Sequence, residues 1–364
     1  MKPTQQLHDL GQSLWLDNIT RGLLSSGTLA GYIRDLSVSG LTSNPTIFEK
    51  AIGDSNFYDS AIRDAAASGT VGEALFYDLA IEDLQHAADL FRGVFDRTRG
   101  TDGWVSLEVS PLLADDTAGT IQAAAELHTR ANRPNLFIKI PGTPAGIPAI
   151  EESIFAGIPI NVTMLFSREH YLAAAEAYLR GIERRIAAGL DPRVTSVASL
   201  FVSRWDVAVQ DKVPAGLRNK LGIAVGKRVY KSYCELLESP RWKALAAAGA
   251  QPQRLLWAST GTKDPAAADT MYVDALAAPD TVNTLPEKTL HAFADHGRVT
   301  GVLPRDGGDA EQVLADIARA GIDEAQLAAR LQQEGTQAFA KSWQDLLKVL
   351  AAKGVATRQA GAAR

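Results

Sequence analysis

Lys139 sits in the middle of an apolar run, Asn135-Leu-Phe-Ile-Lys-Ile-Pro-Gly-Thr143, that otherwise has the composition of a buried strand. Desolvation disfavours an ammonium relative to the neutral amine, and the neutral amine carries the lone pair that adds to a carbonyl. Lys139 therefore has the setting of an imine-forming nucleophile. The competing account is a lysine whose stem lies along the strand while its head reaches water at the strand end. The two accounts differ in what should surround the amine.

Other strand-like runs carry polar residues in a regular pattern. In Val105-Ser-Leu-Glu-Val-Ser110 the residues Ser106, Glu108 and Ser110 share one face, and Asn161-Val-Thr163 repeats the alternation. If Val105, Leu107, Val109, Val162 and Met164 pack on helices, the polar set faces the other way. Leu136, Ile138 and Ile140 likewise leave Lys139 on the inner face. A carboxylate in mid-strand needs a cation or a proton, and Lys139 on a neighbouring strand supplies the cation, as a catalytic or a purely structural pair. Asp17, Asn44, Ser199 and Ser259 extend the set. A helix cap for Asp17, an Asn-Pro turn for Asn44 and a carbonyl partner for Ser199 are their structural alternatives. All lie towards the carboxyl ends of their runs, where α/β barrels build active sites.

The elements that must position these residues can be counted. About eight short apolar or alternating runs occur, at residues 14–19, 38–44, 104–110, 136–141, 158–165, 195–201, 255–260 and 281–285. Helical patterns over 71–97, 167–188, 222–238, 286–296 and 310–320 separate or follow them. This alternation predicts an α/β fold, a (β/α)8 barrel over residues 1–364 as a single domain. Inserts fall near 53–103 and 205–253, with further helices over 309–352, the last at 334–352, and a frayed tail at 357–364. An open doubly wound sheet would show a Gly-rich turn after an early strand, and no G-x-G-x-x-G pattern is present. Ser259-Thr-Gly-Thr-Lys-Asp264 lacks the ending of a nucleotide phosphate loop.

Composition narrows the partners. Hydrophobic residues make up 46% and charged residues 22%, so a large core is expected and wholesale disorder is not. A net charge of -5 with no basic stripe disfavours nucleic acid and anionic membrane, leaving a small solute. The only cysteine, Cys234, cannot form a disulfide within the chain, and no signal-peptide core or membrane span is evident, so a cytoplasmic setting is expected. His8, His86, His128, His170, His291 and His296 form no His-x-His or His-Glu-x-x-His pattern, which disfavours a metal-dependent aldolase and a His-based triad.

With these residues assembled, the chain resembles the transaldolases, Schiff-base enzymes of the pentose phosphate pathway. The resemblance covers most of the chain. It is carried by Gly40-Leu-Thr-Ser-Asn-Pro-Thr-Ile-Phe48, Leu107-Glu-Val-Ser110, Phe137-Ile-Lys-Ile-Pro-Gly142, Ile160-Asn-Val-Thr-Met-Leu-Phe166 and Ser199-Leu-Phe-Val-Ser-Arg204, in the family's order. The long inserts and the Lys-Ile-Pro-Gly-Thr wording resemble a bacterial branch.

The resemblance implies that Lys139 forms an imine with a ketose phosphate and that Asp17 takes the proton from the donor's C4 hydroxyl. It implies that Glu108 and Thr163 position a water for proton transfer, and that Asn44 and Asn161 bind the dihydroxyacetone unit. Thr42, Ser199 and Phe201 fall at further pocket positions. Arg204 matches a phosphate-binding arginine. Where the commonest form of the family has a second arginine shortly after a serine, this chain reads Ser259-Thr-Gly-Thr-Lys263, making Lys263 the candidate replacement.

No cofactor is implied, the partners are sugar phosphates, and a homo-oligomer is left open. The nearest rival is an aldolase of the same fold that releases free dihydroxyacetone from fructose 6-phosphate and has a tyrosine where this chain has Phe201. A non-catalytic barrel that binds sugar phosphates is the third reading, and the presence of both Lys139 and Glu108 argues against it.

Overall fold

Each apolar run of the sequence becomes one strand of a closed, all-parallel barrel. In order these are β1 Ser13–Asp17, β2 Val38–Thr42, β3 Val105–Glu108, β4 Leu136–Pro141, β5 Ile160–Leu165, β6 Ser196–Phe201, β7 Gln253–Ala258 and β8 Val282–Leu285. β8 pairs back onto β1, so no strand edge is exposed. This computed structural model describes residues 1–362, with side chains through Ala356. The (β/α)8 fold expected from the sequence is the fold found.

Alternation explains which side chains enter the barrel. Leu136, Ile138 and Ile140 are fully buried under the helical layer, which turns Phe137 and Lys139 inward. At the amino-terminal end the interior is plugged. Arg254 donates to Ser13 Oγ and the Thr281 carbonyl, both at 2.7 Å. Above it Trp15 donates to Asp102 Oδ1 at 2.7 Å, and Phe137 stacks on Trp104 with ring centroids 4.1 Å apart. Gly40 is required here, because a Cβ at that position would come within 2.6 Å of the Trp15 indole nitrogen. With the lower end filled, space remains only towards the carboxyl ends of the strands.

The surplus length is helical. Pro45–Gly53, Asp59–Ala67 and Gly72–Arg97 join β2 to β3, while Ser203–Val209, Leu221–Glu238 and Pro240–Ala247 join β6 to β7. After β8 come Glu287–His296, Ala310–Arg319 and a terminal helix, Glu324–Ala362. This last element corrects the sequence reading twice. It begins at 324 rather than 334, because Asp323 caps it by accepting from the Gln326 amide at 3.0 Å. It also continues through the segment expected to fray as far as Ala362, and residues 363 and 364 lie outside the described residues.

Met164 departs from the expected alternation. Its φ of 60° is left-handed, the pairing of β5 with β6 shifts between Val162 and Leu165, and its sulfur lies beside Gly335 of the terminal helix. The side chain thus meets the element that crosses the barrel mouth.

Candidate active site

Three adjacent strands bring the central residues into one layer. Glu108 on β3 is the register partner of Lys139 on β4, which is the partner of Asn161 on β5. Lys139 Nζ donates to Glu108 Oε2 at 3.0 Å and to the Ser43 carbonyl at 3.2 Å. The lysine is 5% and the glutamate 6% exposed, so the lysine does not snorkel to bulk water. Burial pushes the Glu108 carboxyl above the usual range, the Lys139 ammonium pulls it back, and nearby Asp17 adds to the rise.

Asp17 ends β1, half-buried on the wall of the same cavity. It does not cap the helix that follows, since Thr20 does so by accepting from Leu23. Instead Asp17 Oδ1 accepts from Thr42 Oγ1 at 2.7 Å, and Thr42 Oγ1 lies 2.6 Å from Thr284 Oγ1. Because a hydroxyl has one proton, Thr42 gives it to Asp17 and receives another from Thr284. Burial raises the Asp17 pKa, opposed by the Lys139 charge, the Thr42 hydrogen bond and the Lys263 charge.

The remaining polar residues divide into wall and support. Thr163 is fully buried, and its hydroxyl has no hydrogen-bond partner among the described residues although it lines the cavity. Asn161 lies behind the wall, donating to Ser106 Oγ at 3.1 Å and accepting from Ser199 Oγ at 2.7 Å. Asn44 has a structural contact and a place on the cavity wall. Its Oδ1 caps the helix Pro45–Gly53 by accepting from Ile47 at 3.1 Å, and the residue also lines the cavity.

The cavity, about 360 Å³, is lined by Asp17, Thr42, Asn44, Lys139, Thr163, Ser199, Phe201, Arg204, Ser259 and Lys263 from the sequence-based set. Glu108 and Asn161 touch these residues rather than the cavity itself. Arg204 has no hydrogen bond or ion pair with a described residue, and its guanidinium lies 5.0 Å from the Phe201 ring centroid. Lys263 reaches the same mouth over Gly261: a Cβ at Gly261 would be 3.7 Å from its ammonium. Ser259, held at φ 57°, pairs with Ser203 Oγ at 2.9 Å.

Sequence reasoning missed Lys50 and Phe339. Lys50 adds a cation to the wall from the end of helix Pro45–Gly53. Lys50, Lys139, Arg204 and Lys263 face one another across a cavity lined by a single carboxylate, Asp17, so the site favours an anionic ligand. Phe339, from the terminal helix, lies over both Lys139 and Arg204. Gln332, Gly335 and Ser342 share its helix and give a usable signal, since small and polar residues at helical spacing do not suit plain packing on a barrel exterior. Among the described residues no group of three or more His, Cys, Asp or Glu side chains could hold a metal ion, and no helix is long and apolar enough to cross a membrane.

A buried lysine paired with a carboxylate at the carboxyl end of a parallel barrel restricts the candidate families, and comparison with known proteins decides among them. A family model described as transaldolase/fructose-6-phosphate aldolase matches residues 14–350. A transaldolase of Parafrankia sp. is 45% identical over 358 residues, spanning 96% of this chain and 97% of that protein. Transaldolases of Frankia alni and Thermobifida fusca are 46% and 45% identical, covering 96% and 95% of this chain and 96% of each relative. Likeness at this level along nearly the whole length, with the paired lysine inside the matched region, places the chain in the transaldolase/fructose-6-phosphate aldolase family.

Proposed function

We propose that the chain is a transaldolase that carries a dihydroxyacetone unit on Lys139 from a ketose phosphate to an aldose phosphate. Sedoheptulose 7-phosphate or fructose 6-phosphate is the donor, and glyceraldehyde 3-phosphate or erythrose 4-phosphate the acceptor. The observation that carries the reading is the Lys139–Glu108 pair at 3.0 Å, nearly sealed from solvent, with its amine on the wall of a cationic cavity.

The Lys139 amine adds to the donor's C2 carbonyl and water leaves, forming an imine that accepts electrons. The C4 hydroxyl gives its proton to Asp17, the bond between C3 and C4 breaks, and its electron pair enters the imine as an enamine. The aldose phosphate departs. An acceptor aldehyde then takes the enamine carbon, Asp17 returns the proton to the new hydroxyl, and water cleaves the imine. Glu108, buried and raised, and the unpaired Thr163 hydroxyl are placed to guide water and protons at the imine. Arg204 and Lys263 bind the substrate phosphate, Arg204 by donating hydrogen bonds through its planar fork and Lys263 as a point charge. Asn44, Thr42 and Ser199 face the sugar hydroxyls, while Asn161 holds Ser199 in place. The imine itself is the electron sink, so this sequence of steps calls for no cofactor.

A lyase that releases dihydroxyacetone is the second reading. Phe201 favours transfer, because a phenyl ring offers no proton to the enamine carbon. The lone, buried Cys234 is compatible with the reducing cytoplasm we propose as the setting.

Borohydride reduction in the presence of fructose 6-phosphate tests the proposal. Peptide mass spectrometry is expected to find a dihydroxyacetone-mass adduct on Lys139. An unmodified Lys139 in folded protein would exclude the imine and leave a sugar-phosphate-binding barrel.

A further inference from the structure

The stretch of the terminal helix from Gln332 to Ser342 crosses the carboxyl end of the barrel, and the helix also packs along Pro45–Gly53 and Asp59–Ala67. Gln332 Nε2 donates to the carbonyls of Gly142 and Met164, both at 3.0 Å, just past β4 and within β5. Ser342 meets Thr46, just past β2, at 2.8 Å. Between these anchors Phe339 points down into the cavity, 7% exposed, with its ring centroid 5.7 Å from Lys139 Nζ and 5.9 Å from the Arg204 guanidinium. The amine therefore has a carboxylate, a carbonyl and a phenyl ring around it.

We infer that Phe339 is a specificity-determining residue that commits the three-carbon unit on Lys139 to transfer rather than release, by keeping proton-donating bulk water from the enamine carbon. The inference rests on the imine reading above. The enamine has two exits. In one, its nucleophilic carbon adds to the carbonyl carbon of an aldehyde, and the former carbonyl oxygen takes a proton. In the other, that carbon takes a proton, water adds to the imine carbon, and the carbon–nitrogen bond breaks. Free dihydroxyacetone then leaves and the Lys139 amine is restored.

The two exits draw on different molecules. Water cleaves the imine after either exit, but release alone needs a proton on the enamine carbon, at a site where the hydrogen-bonding groups, Glu108 and Thr163, lie on the barrel side. The opposite side is covered by a ring that neither donates nor accepts. The same ring and Phe201 both lie within 6 Å of the Arg204 guanidinium, so the cover spans the distance from the reacting carbon to the phosphate end.

The test is a partition ratio. Parent, Phe339→Ala and Phe339→Leu proteins are each given fructose 6-phosphate with and without erythrose 4-phosphate, and dihydroxyacetone released is divided by sedoheptulose 7-phosphate formed by transfer. Phe339→Ala is expected to raise the ratio by at least about tenfold, with the borohydride adduct still found on Lys139. Phe339→Leu keeps apolar cover and is expected to stay within about threefold of the parent. Should the alanine protein fail to fold, Phe339→Thr is read against the same tenfold threshold. A flat ratio in the shortened variant, or an equal rise in the leucine variant, overturns the inference while the parent's adduct leaves the imine reading standing. Absence of the adduct from the parent overturns both.

Discussion

Glu108 and Lys139 are register partners on adjacent strands, and their side chains meet at 3.0 Å with both almost excluded from solvent. Such a pair stabilises a barrel poorly compared with apolar side chains of similar volume, and removing one member leaves the other buried and uncompensated. A chemical role and a structural role therefore predict different results. For the chemical role, Lys139→Ala abolishes turnover in a protein that still folds, and Glu108→Gln lowers kcat by about a hundredfold to ten-thousandfold while leaving the amine available for borohydride trapping. Turnover and thermal melting measured on both variants check this. Near-normal turnover in Lys139→Ala would reduce the pair to a structural one.

Asp17→Asn separates catalysis from stability. Burial raises the Asp17 pKa, so the folded protein holds that proton more tightly than the unfolded chain does. The favourable contribution is complete below the unfolded aspartate value, about 4, and is lost as pH rises through the higher folded value. At neutral pH the ionised carboxylate is thus destabilising. Asparagine can still accept from Thr42, so Asp17→Asn is expected to be nearly inactive yet more stable by roughly 1 kcal/mol at pH 8. That advantage should disappear below about pH 4. Denaturant melts at the two pH values decide it, and equal stability at both would contradict the sign.

The same shift sets the acid limb of the rate. Proton removal needs Asp17 ionised, so kcat in the parent falls as pH drops through a value above the ordinary aspartate range. Replacing Thr42 by valine removes one hydrogen bond that favours the ionised form and should move this limb to still higher pH. An unmoved limb would assign the titration to another group.

Residues on strands were legible because a barrel strand has so little freedom. Lys139, Glu108 and Thr163 interrupt runs that burial on both faces would otherwise keep apolar, and period-two alternation then fixes the direction they face. Phe339 was not legible by itself as a site residue, since an apolar residue at helical spacing reads as packing; the signal lay in its helix neighbours Gln332, Gly335 and Ser342, and its distance from Lys139 gives it the other meaning. Lys50 failed for the complementary reason, because a lysine near a helix end reads as solvated charge. Asn161 shows a finer limit. Alternation places it inward, but only the bonds to Ser106 and Ser199 show that its amide serves its neighbours behind the cavity wall.

Arg204 and Lys263 should not contribute equally to phosphate recognition. The guanidinium lies largely out of water near Phe201 and Phe339, and burial lowers its pKa from the ordinary arginine value, whereas Lys263 is exposed. Arg204→Ala is expected to raise KM for phosphorylated donors by about a hundredfold, with less effect on kcat. Lys263→Ala should raise it by about tenfold or less, in a manner that fades with added salt because exposed charges are screened. KM measured with sugar phosphates at low and high ionic strength checks both. A larger, salt-independent loss at Lys263 would make it the principal phosphate ligand.

Gly335 supplies a test of whether the terminal helix tunes the site without touching a substrate. A Cβ at this position would come within 2.9 Å of the Met164 sulfur and 3.0 Å of Arg204 Nη1, so the helix approaches this closely only because the side chain is absent. In Gly335→Ala either the helix lifts or the guanidinium turns aside. Alanine favours the helix itself by about 1 kcal/mol over glycine, which opposes the overpacking strain of roughly 1–3 kcal/mol. The expected result is therefore a small change in melting temperature together with a rise in KM for phosphorylated substrates of about tenfold. Unaltered KM in a protein of unaltered stability would mean that Arg204 finds its phosphate position without the helix above it.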